Sequence, residues 1–307
     1  MLQIRLFLQI VFIFFVVVAF LLAVPFLTND ATKRPLLGPS LDQVEYEEIT
    51  FRNGDLELAG MLLLPSGTGP FPGAVFIHGS GTSRRDNAWY LTFARELQQN
   101  GVAVLLPDKR GSENSAGDWR DTSFEELAAD TVAALDFLGT VPFVEPQRIG
   151  VVGFSQGGWI APVVGAGRSD LAFVASISGA GVNTEEQLWF EEVNNIIEMG
   201  TYRILARLIA QLTVPSIKQR DTWRATAGFD PMVYWPEVQA PSFAAFGGGD
   251  TNIPVEESIE RFEALARDVI VAFYPDGGHG ISDPETGRVQ QALLDDLTSF
   301  LQTHAEN

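Results

Sequence analysis

The sequence predicts an α/β protein: a doubly wound, mostly parallel sheet with an inserted helical cap, preceded by an N-terminal membrane helix. Three observations predict it. Short apolar segments alternate with segments of helical period along most of the chain, the pattern of a parallel sheet buried between helices. Nearly sixty residues between Gly181 and Val238 offer no strand at all. A further run, Leu6 to Leu27, carries no charge and only Gln9 as a strongly polar residue.

That run comes first in the chain. Its 22 residues would span about 33 Å as a helix, enough for the hydrocarbon core of a bilayer. It is longer than the apolar region of a secretory signal, and no Ala-x-Ala stands near its exit, so residues 1–30 read as an uncleaved anchor. A cleaved signal sequence is the alternative. Flanking charges nearly tie, with Arg5 on one side and Lys33 and Arg34 on the other, so orientation is not fixed by them. The short N-terminal tail favours an exported body, on the periplasmic or extracellular side. Residues 31–43 read as a linker, and 44–307 as the folded domain with its cap at about 182–238.

Within that domain Asn53-Gly54-Asp55 separates two alternating strands between Val44 and Leu64. Gly73–Ile77 is apolar throughout, as a strand buried on both faces must be. Helices follow at 88–99 and 122–138, the second opened by Thr122-Ser123 with Glu125 and Glu126 behind it. Strands are expected at 101–106, 148–152, 171–177, 241–246 and 268–273, and late helices at about 255–267 and 286–303. The strandless segment carries helical patterns at 184–199 and 202–212. A structureless loop of that length is implausible in a compact domain, so a cap over the sheet edge is the better reading.

Composition bounds the function. The formal charge of −19 excludes a nucleic-acid surface, which needs clustered Lys and Arg. With no cysteine the chain has no disulfide and no thiolate metal site.

The chemistry centres on Gly153-Phe154-Ser155-Gln156-Gly157-Gly158, a G-x-S-x-G between an apolar strand and a helix start. A serine at the tip of so sharp a turn needs glycine two residues either side, because any Cβ there would strike the neighbouring chain. The turn presents the Ser155 hydroxyl and leaves the Gln156 N–H at the helix N-terminus, facing developing negative charge. Serine needs a base. Of three histidines, His304 lies near the C-terminus, His78 ends a buried strand, and His279 sits in a glycine loop after the last strand. His279 is therefore the base. Asp250, at the end of Phe246-Gly247-Gly248-Gly249, is the expected acid, with Asp276 as the alternative. His78-Gly79-Ser80-Gly81 would complete the oxyanion hole, with Ser80 and Gln156 as main-chain donors and Gly79 beside the substrate. Asp108 and Arg110 read as a structural ion pair at a strand end. Trp189, Phe190, Trp223 and Trp235 offer an apolar pocket wall, with Trp189 and Phe190 named as substrate contacts.

The order Ser155, Asp250, His279, taken with the G-F-S-Q-G-G elbow, the H-G-S-G loop, D-K-R-G, G-G-G-D-T-N-I-P and G-G-H-G, resembles the α/β-hydrolases from about residue 45 to 303. It is most similar to bacterial esterases and serine-aminopeptidase-like hydrolases with a helical cap. The resemblance implies the same five roles: Ser155 nucleophile, Asp250 acid, His279 base, Ser80 and Gln156 oxyanion donors. It departs at Lys109 of the D-K-R-G loop, a position where relatives vary, and in the membrane anchor, which many relatives lack. The expected activity is hydrolysis of a carboxylic ester of small or medium acyl group through an acyl-enzyme, with no cofactor and no metal. An aminopeptidase or amidase on the same residues is the alternative, for which Glu191-Glu192 could hold a free amine. A non-catalytic, membrane-tethered binding protein is the remote one.

Overall fold

The computed structural model describes residues 35–305, together with positions 9, 11–13 and 16. Most of the apolar run thus lies outside the described residues. Among the described residues no helix is long and apolar enough to cross a membrane. The expectation of a membrane-anchored, exported domain rested on that run alone, and this finding overturns it.

Among the described residues eight strands form one sheet: β1 (Glu47–Asn53), β2 (Leu56–Leu63), β3 (Phe71–Ile77), β4 (Ala103–Pro107), β5 (Val144–Phe154), β6 (Val174–Ile177), β7 (Ser242–Gly247) and β8 (Val269–Tyr274). Their spatial order is β1-β2-β4-β3-β5-β6-β7-β8. β1 and β2 make a hairpin and β2 pairs antiparallel with β4; every pair from β4 to β8 is parallel. The hairpin turns at Gly54, whose φ of +57° is easy only for glycine.

Helices cover both faces because strand side chains alternate. Ala74 and Phe76 of β3 join one cluster with α1 (Ala88–Gln99) and α8 (Gln291–Ala305). Val75 and Ile77 join the opposite cluster with α2 (Phe124–Leu138), α3 (Gln156–Gly167) and α7 (Val255–Glu263). α2 starts where Ser123 accepts from the Glu126 N–H and the Glu126 carboxylate accepts from the Ser123 N–H, a capping box. The last helix begins at Gln291 rather than 286. The chain before it turns back instead: Ser282 bridges Val289, and the Gln290 N–H donates to Ile281 O.

Between β6 and β7 stand α4 (Thr184–Glu198), α5 (Arg203–Ile217) and the single turn α6 (Asp221–Arg224). α4 and α5 share their own apolar cluster, in which Leu188, Val193 and Ile196 meet Ala206, Ala210 and Val214. Alanines one helical turn apart let the two helices approach closely. Because β3, β5, β6, β7 and β8 all run the same way, the loops after them gather at one edge.

Candidate active site

Ser155 sits between β5 and α3 with φ +54° and ψ −118°, a strained conformation held by its surroundings. Its N–H donates to Ile177 O at 2.8 Å and its carbonyl accepts from the Gly158 N–H at 2.8 Å. A Cβ at Gly153 would run into the backbone of Gly157, and one at Gly157 into Ile77 O. The elbow therefore closes only with glycine at both places.

The acid and base loops are locked to each other by backbone. The Gly249 N–H donates to Gly277 O at 2.7 Å, and a Cβ at Gly247 would collide with Gly277 O and Gly278 O. This brings Asp250 to His279 across 29 residues. His279 Nδ1 lies 2.7 Å from Asp250 Oδ2, and His279 Nε2 lies 2.8 Å from Ser155 Oγ. The network assigns the tautomer: Nδ1–H donates to the carboxylate, leaving Nε2 to accept from the hydroxyl. The other oxygen of Asp250, Oδ1, accepts from the N–H groups of Asn252 and Ile253 at 2.8 and 3.3 Å. Asp250 is thus both turn-former and histidine partner, one oxygen for each. Asp276 is exposed and lies away from this chain of contacts.

Other side chains fix the histidine loop, and sequence reading did not single them out. Ser178 Oγ donates to His279 O at 2.7 Å, and Trp89 Nε1 donates to Gly280 O at 2.9 Å. The Trp89 ring stacks on Phe154 at 4.0 Å, and Phe154 lies 5.3 Å from the imidazole. Trp89 looks like ordinary core from its place on α1. Its partner is 191 residues away, and local pattern holds no trace of it.

On the opposite side the loop after β3 is built around His78. Its Nε2–H donates to Pro107 O at 2.8 Å, and burial beside Lys109 pulls its pKa down to about 3, so the ring stays neutral. The Gly79 N–H is taken by Tyr90 Oη at 2.7 Å; burial pushes that phenol's pKa well up. Gly79 and Ser80 line the cavity above Ser155. Gln156 opens α3, so its N–H belongs to the first turn, which has no intrahelical acceptor. Lys109 is buried with its Nζ on Gly79 O, Gly81 O and Gln156 Oε1. Asp108 and Arg110 are each in ion pairs, though not with one another. Asp108 holds Arg85 at 2.8 Å and Arg110 holds Asp130 at 2.6 Å.

Gly79, Ser80, Ser155, Gln156 and His279 form the floor of a cavity of about 560 Å³, within the range of small-molecule sites. Its far wall comes from α4–α6, chiefly Gln187, Leu188, Glu191, Ile217, Arg220 and Trp223. Trp189 and Phe190, the expected contacts, do not line it. On α4 the inward face runs 184, 187, 188, 191 by helical spacing, which turns 189 and 190 away; Trp189 is exposed. Trp235 is fully buried against Phe262 instead. Among the described residues no group of three or more His, Asp or Glu side chains converges as a metal site.

Known proteins agree with this architecture. The model of a family described as the alpha/beta hydrolase family matches residues 74–291. Esterase EstD of Thermotoga maritima is 31% identical over 291 residues, covering 85% of this chain and 68% of that protein. An uncharacterized peptidase of Bacillus subtilis, YtmA, is 25% identical over 85% of this chain and 96% of its own length. The acylamino-acid-releasing enzyme of Rattus norvegicus is 25% identical over 80% of this chain, which spans only 33% of that protein. Among solved structures, the alpha/beta hydrolase GrgF of Penicillium sp. sh18 superposes with a TM-score of 0.66 at 17% identity, covering 86% of this chain and all of that one.

Proposed function

This chain belongs to the alpha/beta hydrolase family, and we propose that it is a serine hydrolase cleaving carboxylic esters through Ser155, His279 and Asp250. The observation that carries the reading is the unbroken line from Ser155 Oγ through the imidazole to Asp250, at 2.8 and 2.7 Å.

His279 Nε2 takes the Ser155 proton as Oγ attacks the ester carbonyl. Charge moves to the carbonyl oxygen, where the Ser80 and Gln156 N–H groups receive it. The imidazolium formed is stabilised by Asp250, whose second oxygen is already committed to the backbone and so cannot swing away. His279 then returns the proton to the leaving alcohol, and the acyl group stays on Ser155. Water, deprotonated by the same nitrogen, attacks the acyl-enzyme and releases the acid. Such donors in a water-poor site are each worth roughly 10²–10³ in rate.

An aminopeptidase would need an anionic anchor for a free amine. Of Glu191 and Glu192 only Glu191 lines the cavity, and its Oε2 accepts from Gln187 Nε2 at 2.8 Å. A single engaged carboxylate in a cavity that Arg84 and Arg220 also line is a poor amine site, and this favours the ester reading.

The test is turnover of p-nitrophenyl acyl esters and aminoacyl p-nitroanilides, with Ser155→Ala beside the wild type. Ester turnover that vanishes in the variant, with anilides untouched, is expected. Anilide turnover that depends on a free amino group would move the protein to the peptidase class. Silence on both from folded protein would count against catalysis.

A further inference from the structure

Lys109 lies buried behind the oxyanion loop, touching Gly79, Gly81 and Gln156 of the cavity lining, and the reaction above gives it no task. Its side chain is buried, with the ring of Trp119 5.6 Å from Nζ. Among the described residues no carboxylate lies within ion-pair distance of it; its neighbour Asp108 is spent on Arg85. A buried, unpaired ammonium is expensive, and a methionine of similar volume would pack there at less cost. What the charge touches is specific: Gly79 O, Gly81 O at 3.1 Å and Gln156 Oε1 at 3.1 Å.

The covalent geometry gives these contacts a direction. Gly79 C=O and Ser80 N–H are two ends of one trans peptide and point opposite ways. An ammonium fixed on Gly79 O therefore turns the Ser80 N–H away from Lys109, towards the cavity that Ser80 lines. A cation at the carbonyl also draws electron density along the peptide and makes its N–H a stronger donor. The third contact ties down the side chain of Gln156, the residue carrying the other donor.

We propose that Lys109 is a positioning residue for the oxyanion hole: one buried cation that orients and polarises the Ser80 peptide and fixes Gln156, so that both main-chain donors meet the developing oxyanion. The inference rests on the serine-hydrolase reading for its catalytic consequence, not for its geometry.

Burial pulls the Lys109 pKa down to about 7 from 10.5. The charged and titratable groups on the elements around it include His78 at the end of β3, Tyr90 on α1, the Asp108–Arg85, Arg110–Asp130 and Arg84–Asp86 pairs, Glu113 of its own loop and His279 across the cavity. His78 is neutral and Asp108 is paired, so neither restores the charge when Lys109 loses it. The signs for activity and stability then oppose. Between pH 7 and 10.5 the unfolded chain binds more protons at this lysine than the folded one, so its contribution to stability improves as pH rises. Over the same window the clamp discharges and turnover falls.

The experiment compares full-length wild type with Lys109→Met and Lys109→Arg on a p-nitrophenyl ester, beside Ser155→Ala. In Lys109→Met, kcat should drop about 10- to 100-fold, part of what losing a donor outright costs, with KM little changed. The fall of wild-type kcat above pH 7 should disappear in Lys109→Met and move to higher pH in Lys109→Arg. Full kcat in a folded Lys109→Met, or a loss confined to KM, overturns the proposal while Ser155→Ala keeps the hydrolase reading intact. If Lys109→Met does not fold, or the wild type turns over no ester, the amide resonance of Ser80 in wild type decides. A shift titrating near pH 7 supports the clamp, and a flat response from pH 6 to 9 refutes it.

Discussion

The floor and the far wall of the cavity are made in different ways. The floor is backbone against backbone: Gly153 beside Gly157, Gly157 beside Ile77, Gly247 beside Gly277 and Gly278. The turns that carry Ser155 and Asp250 hold glycines with no room for a single added methyl. The wall is side chains on α4–α6, a helix pair with its own small apolar cluster and, on α5, outward residues such as Ile204 and Leu212 left largely to solvent. The floor cannot change without the fold changing. The wall can exchange one side chain for another and remain standing, so on the proposed reading chemistry belongs to the first and selectivity to the second.

The largest expected effect falls on the floor. Asp250→Asn keeps Oδ1 for the Asn252 and Ile253 N–H groups and so keeps the turn. It places an amide where His279 Nδ1–H needs an acceptor, and favours the wrong tautomer. kcat should fall roughly 10⁴-fold while the denaturant midpoint hardly moves. A parallel collapse of stability would mean that the carboxylate is mainly a structural brace.

Next comes the glycine packing itself. Gly157→Ala drives a Cβ into Ile77 O, a backbone atom that cannot step aside, and should cost about 3 kcal/mol or more in urea unfolding. Gly167→Ala, at the end of the same helix with nothing near its Cβ, should be neutral or slightly stabilising. Equal effects at the two positions would remove the distinction between a backbone-locked floor and ordinary helix. His78 tests the same floor by pH. Its folded pKa of about 3 lies below the unfolded value of 6.5, so below pH 6.5 the unfolded chain gains a proton that the folded chain refuses. Stability contributed at this site is unaffected above pH 6.5 and erodes by up to about 1.4 kcal/mol per pH unit between 6.5 and 3. His78→Gln, which keeps a donor for Pro107 O, should flatten that acid limb in melts run from pH 7 to 4.

The same contrast explains what could be read from the sequence. The sheet was legible because parallel strands buried on both faces are apolar throughout, as Gly73–Ile77 is. The elbow was legible because sterics leave glycine no substitute at 153 and 157. Asp250 and His279 follow strand ends in glycine-rich loops, again a backbone requirement written into residue type. The groups that steady them were not legible. Trp89 reaches Gly280, Ser178 reaches His279 O and Lys109 reaches Gly79 O through side chains whose partners are set by tertiary packing. On the wall, the aromatic pair Trp189 and Phe190 drew attention by bulk. The face that α4 turns inward is decided by where α5 packs, and it is the face of Leu188 and Glu191.

The smallest expected effect separates those two faces. Leu188 lies between the α4–α5 cluster and the cavity, while Trp189, one residue on, points to solvent. Leu188→Ala removes apolar surface that an acyl or alcohol group can cover, at about 25 cal/mol per Å². Across a series of p-nitrophenyl esters of rising chain length it should change relative kcat/KM by about 3- to 10-fold, the range for a methylene or two in an apolar pocket. Trp189→Ala should leave the same series within about twofold, since truncating a side chain that touches no substrate alters neither ground state nor transition state. A Trp189→Ala profile that shifts more than that of Leu188→Ala would mean that the wall turns on its axis when substrate enters. The face that α4 turns inward in this structure would then not be the face that selects.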